Sequence, residues 1–217
     1  MTVASPMTPR QFLYFTALTL PVCVLLILFF DQPLARFFHA HTLGAKPFFQ
    51  ALTDSADSLH EKLLTTHLLG LPVLYLAPAV AYLIGRWVLK KPGTTLFLIL
   101  LLTHLASIIA SNVLKGAVHR LRPEVLLGAG YQGLGLWAAG PHNDSFPSSH
   151  VASYFSLFLP LIFAFPRWRL PLLVLPALIG IGRLVLGAHY VSDVWFSVWL
   201  ALGFTVLFGQ LYGRRWA

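Results

Sequence analysis

Residues 94–114 read TTLFLILLLTHLASIIASNVL and contain no Asp, Glu, Lys or Arg. A helix needs about 20 apolar residues to cross the hydrocarbon layer of a bilayer, which is about 30 Å thick. This stretch therefore has the length and composition of one membrane-spanning helix. It is followed at once by a short basic run, Lys115-Gly-Ala-Val-His-Arg-Leu-Arg122-Pro123. The junction predicts a helix that ends at a membrane surface beside a polar site.

The rest of the chain has the same apolar character. Its 217 residues are 57% hydrophobic and 10% charged, whereas a soluble domain carries about 25% charged residues. Six apolar runs fall at about 11–30, 63–89, 94–114, 151–165, 170–187 and 191–211. Membrane strands form closed barrels from alternating segments of about 10 residues, which these runs do not match. We predict an all-α polytopic membrane protein, a six-transmembrane-helix bundle with one domain over residues 1–217.

The charged residues indicate how this bundle is oriented. All seven acidic residues fall on one side, with outer loops at about 31–62 and 119–149. Short basic loops mark the cytoplasmic face, and the other side has them: Arg10, Arg86, Lys90, Lys91, Arg167, Arg169, Arg214 and Arg215. We therefore predict that both ends lie in the cytoplasm and that the polar chemistry lies at the outer face. The net charge of +8 does not indicate nucleic acid, because the cytoplasmic cations are divided among short segments.

Three polar clusters lie at the outer ends of the predicted spans. The first is the basic run at 115–123, after the third span. The second is Pro147-Ser148-Ser149-His150, at the start of the fourth span. The third is Arg183-Leu-Val-Leu-Gly-Ala-His189-Tyr-Val-Ser-Asp193, between the fifth and sixth spans. Because these span ends face the same side, we expect the clusters to form one site.

Five residues of these clusters suit a phosphate group. Lys115, Arg122 and Arg183 are cations, and the planar fork of arginine matches phosphate oxygens. Ser148 and Ser149 precede an apolar helix whose first backbone N–H groups have no intrahelical partner. Those groups can donate to an anion, together with the Ser148 hydroxyl. We predict these five as phosphate-binding residues.

Two histidines supply the reactive groups. His189 and Asp193 are four residues apart, so the carboxylate can hold one imidazole nitrogen while the other points at phosphorus. His150 can protonate the leaving oxygen, because a phosphate dianion favours imidazolium, and can then take a proton from water. We predict these three residues as catalytic. His119 and Arg120, inside the first cluster, are candidates for contacts with a lipid head group or for support behind the site.

The clusters resemble the signature of the PAP2 (type 2 phosphatidic acid phosphatase) superfamily of membrane proteins. That family's pattern is K-x6-RP, PSGH and SR-x5-H-x3-D; here it reads Lys115-x6-Arg122-Pro123, Pro147-Ser148-Ser149-His150 and Gly182-Arg183-x5-His189-x3-Asp193. The resemblance covers residues 94–211 by motif. It implies a six-span phosphatase that uses no metal or other cofactor. It also implies a phosphohistidine intermediate on His189, with His150 protonating the leaving group.

Two positions depart from the family pattern. Ser149 stands where the family usually has glycine, and Gly182 stands where it often has serine. Ser149 keeps its N–H, so a phosphate contact survives unless the backbone needs a positive φ. Gly182 lacks one hydroxyl donor. Neither change removes a group that makes or breaks bonds, so we expect an altered rate rather than a different reaction.

Together with the resemblance, these features predict a multi-pass lipid phosphatase of the bacterial inner (cytoplasmic) membrane, with its active site at the outer, periplasmic face. The substrate is expected to be a phosphomonoester or pyrophosphate of a membrane lipid that enters sideways from the bilayer. Candidates are undecaprenyl pyrophosphate, phosphatidylglycerophosphate, phosphatidate and lipid A phosphates. A phosphotransferase from a polyprenyl pyrophosphate to a second lipid would use the same motifs. A non-catalytic lipid-phosphate binder or transporter is a third hypothesis, against which the intact His150, His189 and Asp193 argue.

Overall fold

Nearly all of the described chain is helical. The computed structural model describes residues 7–128 and 133–213. The predicted cytoplasmic cations Arg214 and Arg215 lie outside the described residues. Apart from one pair of two-residue strands, the regular elements of the described chain are helices, which confirms the helical character expected from the sequence.

The first apolar run forms one long helix. Helix α1, Pro9–Leu25, continues through a π-helical turn, Leu26–Phe30, into α2, Asp31–His41. Helix α3, Lys46–Thr65, follows after one 3₁₀ turn and packs against a later helix, at 169–185. The predicted outer loop at 31–62 is therefore mostly helical, because an amphipathic stretch gains by laying its apolar face on the bundle.

For the second predicted span, at 63–89, the predicted start is wrong. Helix α3 ends at Thr65, and strands β1, His67–Leu68, and β2, Leu71–Pro72, pair antiparallel before the next helix. The turn between them has φ of 55° at Leu69 and 77° at Gly70. Glycine adopts this left-handed conformation without steric cost, and Pro72 ends the strand pair. Helix α4, Val73–Leu83, with a π-helical turn at Ile84–Val88, is therefore shorter than the apolar run.

The carboxyl-terminal half forms the centre of the bundle. Its helices are α5 Thr95–Val118, α6 Pro123–Gly128, α7 Ser149–Ala164, α8 Arg169–Val185 and α9 Val191–Gly213. Helices α5, α7 and α9 pack against one another, with α8 against α7, α4 against α5 and α1 against α9. Their buried contacts include Val151, Phe155 and Leu159 of α7 and Ala201 and Val206 of α9.

Four helical segments of the described chain are long and apolar enough to cross a membrane. They are Pro9–His41, Pro92–Gly128, Pro166–Val185 and Val191–Tyr212. The apolar helices Val73–Val88 and Ser149–Ala164 are shorter. Their starts are set locally, by Pro72 before α4 and by the capping residue Ser148 before α7. The length of these helices thus supports four crossings, and the count of six stays a prediction.

Candidate active site

The three sequence clusters meet where central helices begin and end. Lys115 lies in the last turn of α5, Ser149 begins α7, and Arg183 lies in the last turn of α8. His189 lies in the short connection between α8 and α9, and Asp193 lies in the first turn of α9. Because α5, α7 and α9 pack together, residues separated by long stretches of sequence face one site.

His189 is held with one nitrogen occupied. It is 3% exposed, and its Nδ1 lies 2.7 Å from the backbone carbonyl of Ser145. A carbonyl only accepts, so Nδ1 carries the proton and Nε2 of the neutral ring keeps a free lone pair. Burial lowers the pKa of His189 to about 4 against the opposing effect of Asp193, and the charges of Arg183 and Lys115 add to the lowering. The ring is therefore an uncharged base at neutral pH.

Asp193 acts on this histidine less directly than its spacing suggested. Its Oδ2 is 3.7 Å from His189 Nδ1, because His189 precedes α9 and does not share its helical face. Oδ2 instead accepts from the Ser145 hydroxyl at 2.6 Å and from the Tyr190 backbone N–H at 2.8 Å. Asp193 therefore positions the Ser145 segment, whose carbonyl then orients His189.

Arg120 lies behind the site and is fully buried. It is 1% exposed, and its guanidinium lies 2.8 Å from Asp31 Oδ2 and 2.7 Å from Asp193 Oδ1. It also donates to the Ser192 hydroxyl at 2.7 Å and stacks on Tyr190, with Cζ 4.0 Å from the ring centroid. Arg120 was a candidate either for contact with a lipid head group or for support behind the site. The geometry favours support, because this buried side chain does not reach solvent or lipid.

Asp31 is a member of this network that motif spacing did not indicate. It begins α2, is 1% exposed, and its Oδ1 accepts from the Ser192 backbone N–H at 3.0 Å. The one indication in the sequence was that Asp31 directly follows an apolar run. An ionisable group at such a position is costly without a partner. Its partner Arg120 is 89 residues away in sequence, so spacing could not identify the pair.

Lys115 and Arg122 face the same carboxylate. Arg122 binds Asp144 through two parallel hydrogen bonds, each 2.9 Å long. Lys115 donates to the backbone carbonyl of Asp144, and its Nζ is 3.7 Å from Oδ2. Partial burial would raise the pKa of Asp144, but hydrogen bonding to Arg122 and the two positive charges lower it to about 2. The sequence predicted both cations, but not this anion between them.

Arg183 is a buried cation without a counter-ion. It is 8% exposed, and its Nε has no hydrogen-bond partner among the described residues. Within the described ranges, no carboxylate lies at ion-pair distance from its guanidinium. A buried charge left unpaired is strongly destabilising. This position is therefore suited to an anionic ligand.

The amino end of α7 supplies the expected backbone donors. The Ser148 hydroxyl caps the helix by accepting from Val151 N at 3.5 Å. Ser149 is the first residue of α7, and its φ is not positive. Serine therefore fits at this position, where the family usually has glycine. Its hydroxyl lies 3.2 Å from that of Ser111. As the first residue of α7, Ser149 has a backbone N–H without an intrahelical acceptor, which suits it to donate to an anion.

The other departure from the family pattern has a packing reason. A Cβ atom at Gly182 would lie 3.0 Å from Cδ1 of Phe49. Phe49 belongs to α3, which packs against α8. Glycine at this position therefore lets α3 lie close to the site.

Helix α3 contributes a partner for His150 that the sequence did not indicate. His150 Nε2 lies 2.8 Å from Oδ2 of Asp57. A carboxylate only accepts, so Nε2 carries a proton and the ring is held by α3. Asp57 is 93 residues from His150 in sequence, and the residues around it carry no motif. His119, in contrast, is exposed at the end of α5, with Nδ1 3.3 Å from the Asn143 amide nitrogen.

Fold and site together define a class of protein: a helical membrane protein with a histidine and a cluster of cations where its central helices end. The chain belongs to the PAP2 superfamily, whose family profile matches residues 96–217.

Two curated relatives share part of the chain. A lipid A 1-phosphatase of Rhizobium johnstonii is 31% identical over 102 residues, which is 43% of this chain and 42% of the relative. A lipid A 1-phosphatase of Rhizobium etli is 30% identical over 104 residues, covering 48% of this chain and 45% of the relative. The chain thus matches less than half the length of each relative. No solved structure gives a significant match.

Proposed function

We propose that the protein is a lipid phosphatase of the bacterial inner membrane that works through a phosphohistidine on His189. The observation that carries this proposal is the buried, unpaired Arg183 near a neutral His189 whose Nε2 is free. A cation without a counter-ion and a nucleophile with an available lone pair suit a phosphoryl group between them. Membership of the PAP2 superfamily and the two relatives named lipid A 1-phosphatase support the same conclusion.

The proposed reaction has two steps. In the first, Nε2 of His189 attacks phosphorus, the bond to the lipid oxygen breaks, and that oxygen takes a proton from His150. In the second, water attacks the phosphohistidine and gives a proton to His150, while the P–N electron pair returns to Nε2. Lys115, Arg122, Arg183 and the first N–H groups of α7 stabilise charge on the phosphoryl oxygens. These groups supply the positive charge, so the proposed reaction needs no metal.

A groove beside His150 supports a lipid as the leaving group. It has a volume of about 270 Å³, and it lies between α3, α5 and α7. His150 and Asp57 line one part of it, and Leu64 and Ile108 line another. Since His150 would protonate the leaving oxygen, the departing lipid alcohol belongs on this side of the site. An apolar chain in the groove would reach the bilayer between helices.

The orientation of the bundle completes the proposal. We place the four long apolar helices and the two shorter ones across the membrane, with the site at the outer face. The basic segments Arg10, Lys90–Lys91 and Arg167–Arg169 then face the cytoplasm, as the positive-inside rule requires. Lipid A 1-phosphate is the first substrate to test, because it is the substrate named in the relatives' descriptions.

The proposal is tested by following labelled phosphate. Detergent-purified protein is incubated with ³²P-labelled lipid A, undecaprenyl pyrophosphate, phosphatidylglycerophosphate or phosphatidate, in the presence of EDTA. We expect label to appear as inorganic phosphate from at least one lipid. Label that appears on a second lipid would establish a phosphotransferase instead. Complete absence of turnover across the panel would contradict an enzymatic role and favour a lipid-phosphate binder.

Asp57 is expected to position His150 for protonation of the leaving group. Substitution Asp57→Asn should slow hydrolysis of a lipid alkyl phosphate by about 10- to 100-fold, since general-acid catalysis contributes about 10²- to 10⁴-fold. The kcat/KM for p-nitrophenyl phosphate should change by less than about 3-fold, because nitrophenolate leaves without a proton. The measurement is kcat/KM for both substrates at one pH, since this ratio reports only the formation of phosphohistidine and leaves out the second step, in which His150 accepts a proton from water for either substrate.

Asp54→Asn is the matched control for this prediction. Asp54 lies one turn earlier on α3, where it accepts a hydrogen bond from Gln50 on an exposed surface. We expect the control to hydrolyse both substrates at the wild-type rate. Equal losses of kcat/KM on the two substrates in Asp57→Asn would show that Asp57 only maintains the fold, and would refute a role through His150 in protonating the leaving group.

A further inference from the structure

The Asp144 carboxylate pairs with Lys115 and Arg122, the two cations that the proposed function assigns to binding phosphate. Arg122 Nε donates to Asp144 Oδ1 and NH2 donates to Oδ2, both at 2.9 Å. Lys115 Nζ lies 3.7 Å from Oδ2 and donates to the Asp144 backbone carbonyl. We call these two cations the Lys115–Arg122 pair. The pair is therefore already neutralised in part before any ligand arrives.

The Asp144 carboxylate uses the donors that a phosphate would use. Two parallel N–H···O bonds from one edge of a guanidinium are the geometry that arginine offers to carboxylates and phosphates alike. Nε and NH2 of Arg122 form one such edge, and it cannot serve two anions fully at once. A phosphate that remained beside Asp144 would also meet like-charge repulsion. Phosphate binding at the Lys115–Arg122 pair thus requires Asp144 to move away or share its partners.

Asp144 is placed so that it can move away. Its side chain is 46% exposed, so the released carboxylate can be hydrated at once. The side chains of Asp31 and Asp193, the other carboxylates that pair with an arginine near the site, are both fully buried. Those two are held inside the bundle, whereas Asp144 lies on the irregular segment before α7. Its low pKa means that it stays an anion throughout the physiological pH range.

We propose that Asp144 is a specificity-determining residue that competes with phosphate for the Lys115–Arg122 pair. The inference rests on the proposed function, because it concerns the phosphate site of that reaction. A lipid phosphate is held beside the site by its chain in the bilayer, which raises its effective concentration and lets it displace Asp144. Free inorganic phosphate has no such anchor. Asp144 therefore weakens the binding of the product and speeds its release.

The experiment measures binding of inorganic phosphate without turnover. Wild type, Asp144→Asn, Asp144→Ala and the control Asp54→Asn are titrated with inorganic phosphate by isothermal calorimetry in detergent. Asp54 is exposed on α3, where it accepts a hydrogen bond from Gln50, and it forms no ion pair with Lys115 or Arg122 in the described residues. We expect Kd to fall about tenfold in both Asp144 variants, which equals about 1.4 kcal/mol, and to stay unchanged in the control. Inhibition of lipid hydrolysis by inorganic phosphate should strengthen in parallel.

The outcomes separate this inference from the proposed function. Unchanged or weaker phosphate binding in both Asp144 variants would overturn it, because Asp144 would then be neutral or would hold the cations in place. Tighter binding in a protein that hydrolyses no lipid would support the role of Asp144 and refute the proposed phosphatase. Normal lipid hydrolysis by wild type, without tighter phosphate binding in either Asp144 variant, would support the proposed phosphatase and refute the role of Asp144.

Discussion

Replacement of His189 by alanine should lower phosphate release from the lipid substrate by at least about 10⁴-fold. Loss of a nucleophile that works together with neighbouring groups removes nearly the whole catalytic effect of the set. The imidazole is the group placed to attack, because Ser145 holds its Nδ1 and leaves Nε2 free. Lys115 and Arg183 would remain in the variant, so phosphate binding should persist while turnover is lost.

The intermediate itself provides a direct measurement. Wild type is mixed with ³²P-labelled lipid, quenched with base within milliseconds and analysed for protein-bound label, since phosphohistidine survives base and is lost in acid. We expect labelled protein from wild type and none from His189→Ala. The control is His67→Ala, a histidine that is exposed on the strand pair, and it should label normally. Label that persists in His189→Ala would assign the nucleophile elsewhere.

Replacement of Arg120 by methionine should have the largest effect on stability. The change leaves Asp31 and Asp193 buried without their shared counter-ion. Removal of one partner from a buried ion pair costs about 3–5 kcal/mol, because the remaining charge stays out of water. We expect a large fall in the melting temperature of the protein in detergent. Activity of the fraction that folds should fall as well, because Asp193 positions the Ser145 segment.

Two further variants separate charge from packing in this prediction. Asp31→Asn combined with Arg120→Met removes one unpaired charge and should recover part of the lost melting temperature. Arg36→Met, at an exposed arginine of α2, is the matched control and should melt like wild type. If the double variant is less stable than Arg120→Met alone, the buried carboxylates are not the cause of the instability.

Local pattern was enough to predict the cations and the histidines. Lys115 and Arg122 are seven residues apart at the end of one helix, so their proximity follows from chain connectivity. Runs of apolar residues likewise predicted helices, because a bilayer leaves few other ways to satisfy the backbone. The error at 63–89 came from hydropathy alone, which does not register that Gly70 and Pro72 interrupt a helix.

The partners of those residues depended on how the helices pack. Asp57 reaches His150, and Asp31 reaches Arg120, across 93 and 89 residues of sequence. Both acids come from the amino-terminal part of the chain, outside the matched family segment. A carboxylate several helices away produces no periodic signal, so sequence spacing could not pair it with a cation or a histidine.

The sequence by itself determined the helical, apolar character of the chain and predicted the candidate site residues and their order, since each follows from local composition and spacing. Tertiary structure alone decided that Ser145 rather than Asp193 holds the His189 ring. It also decided that Asp144 occupies the Lys115–Arg122 pair and that Arg183 has no counter-ion among the described residues. The physical reason is that hydrogen bonds act over about 3 Å, and such distances between remote segments exist only once the helices have packed.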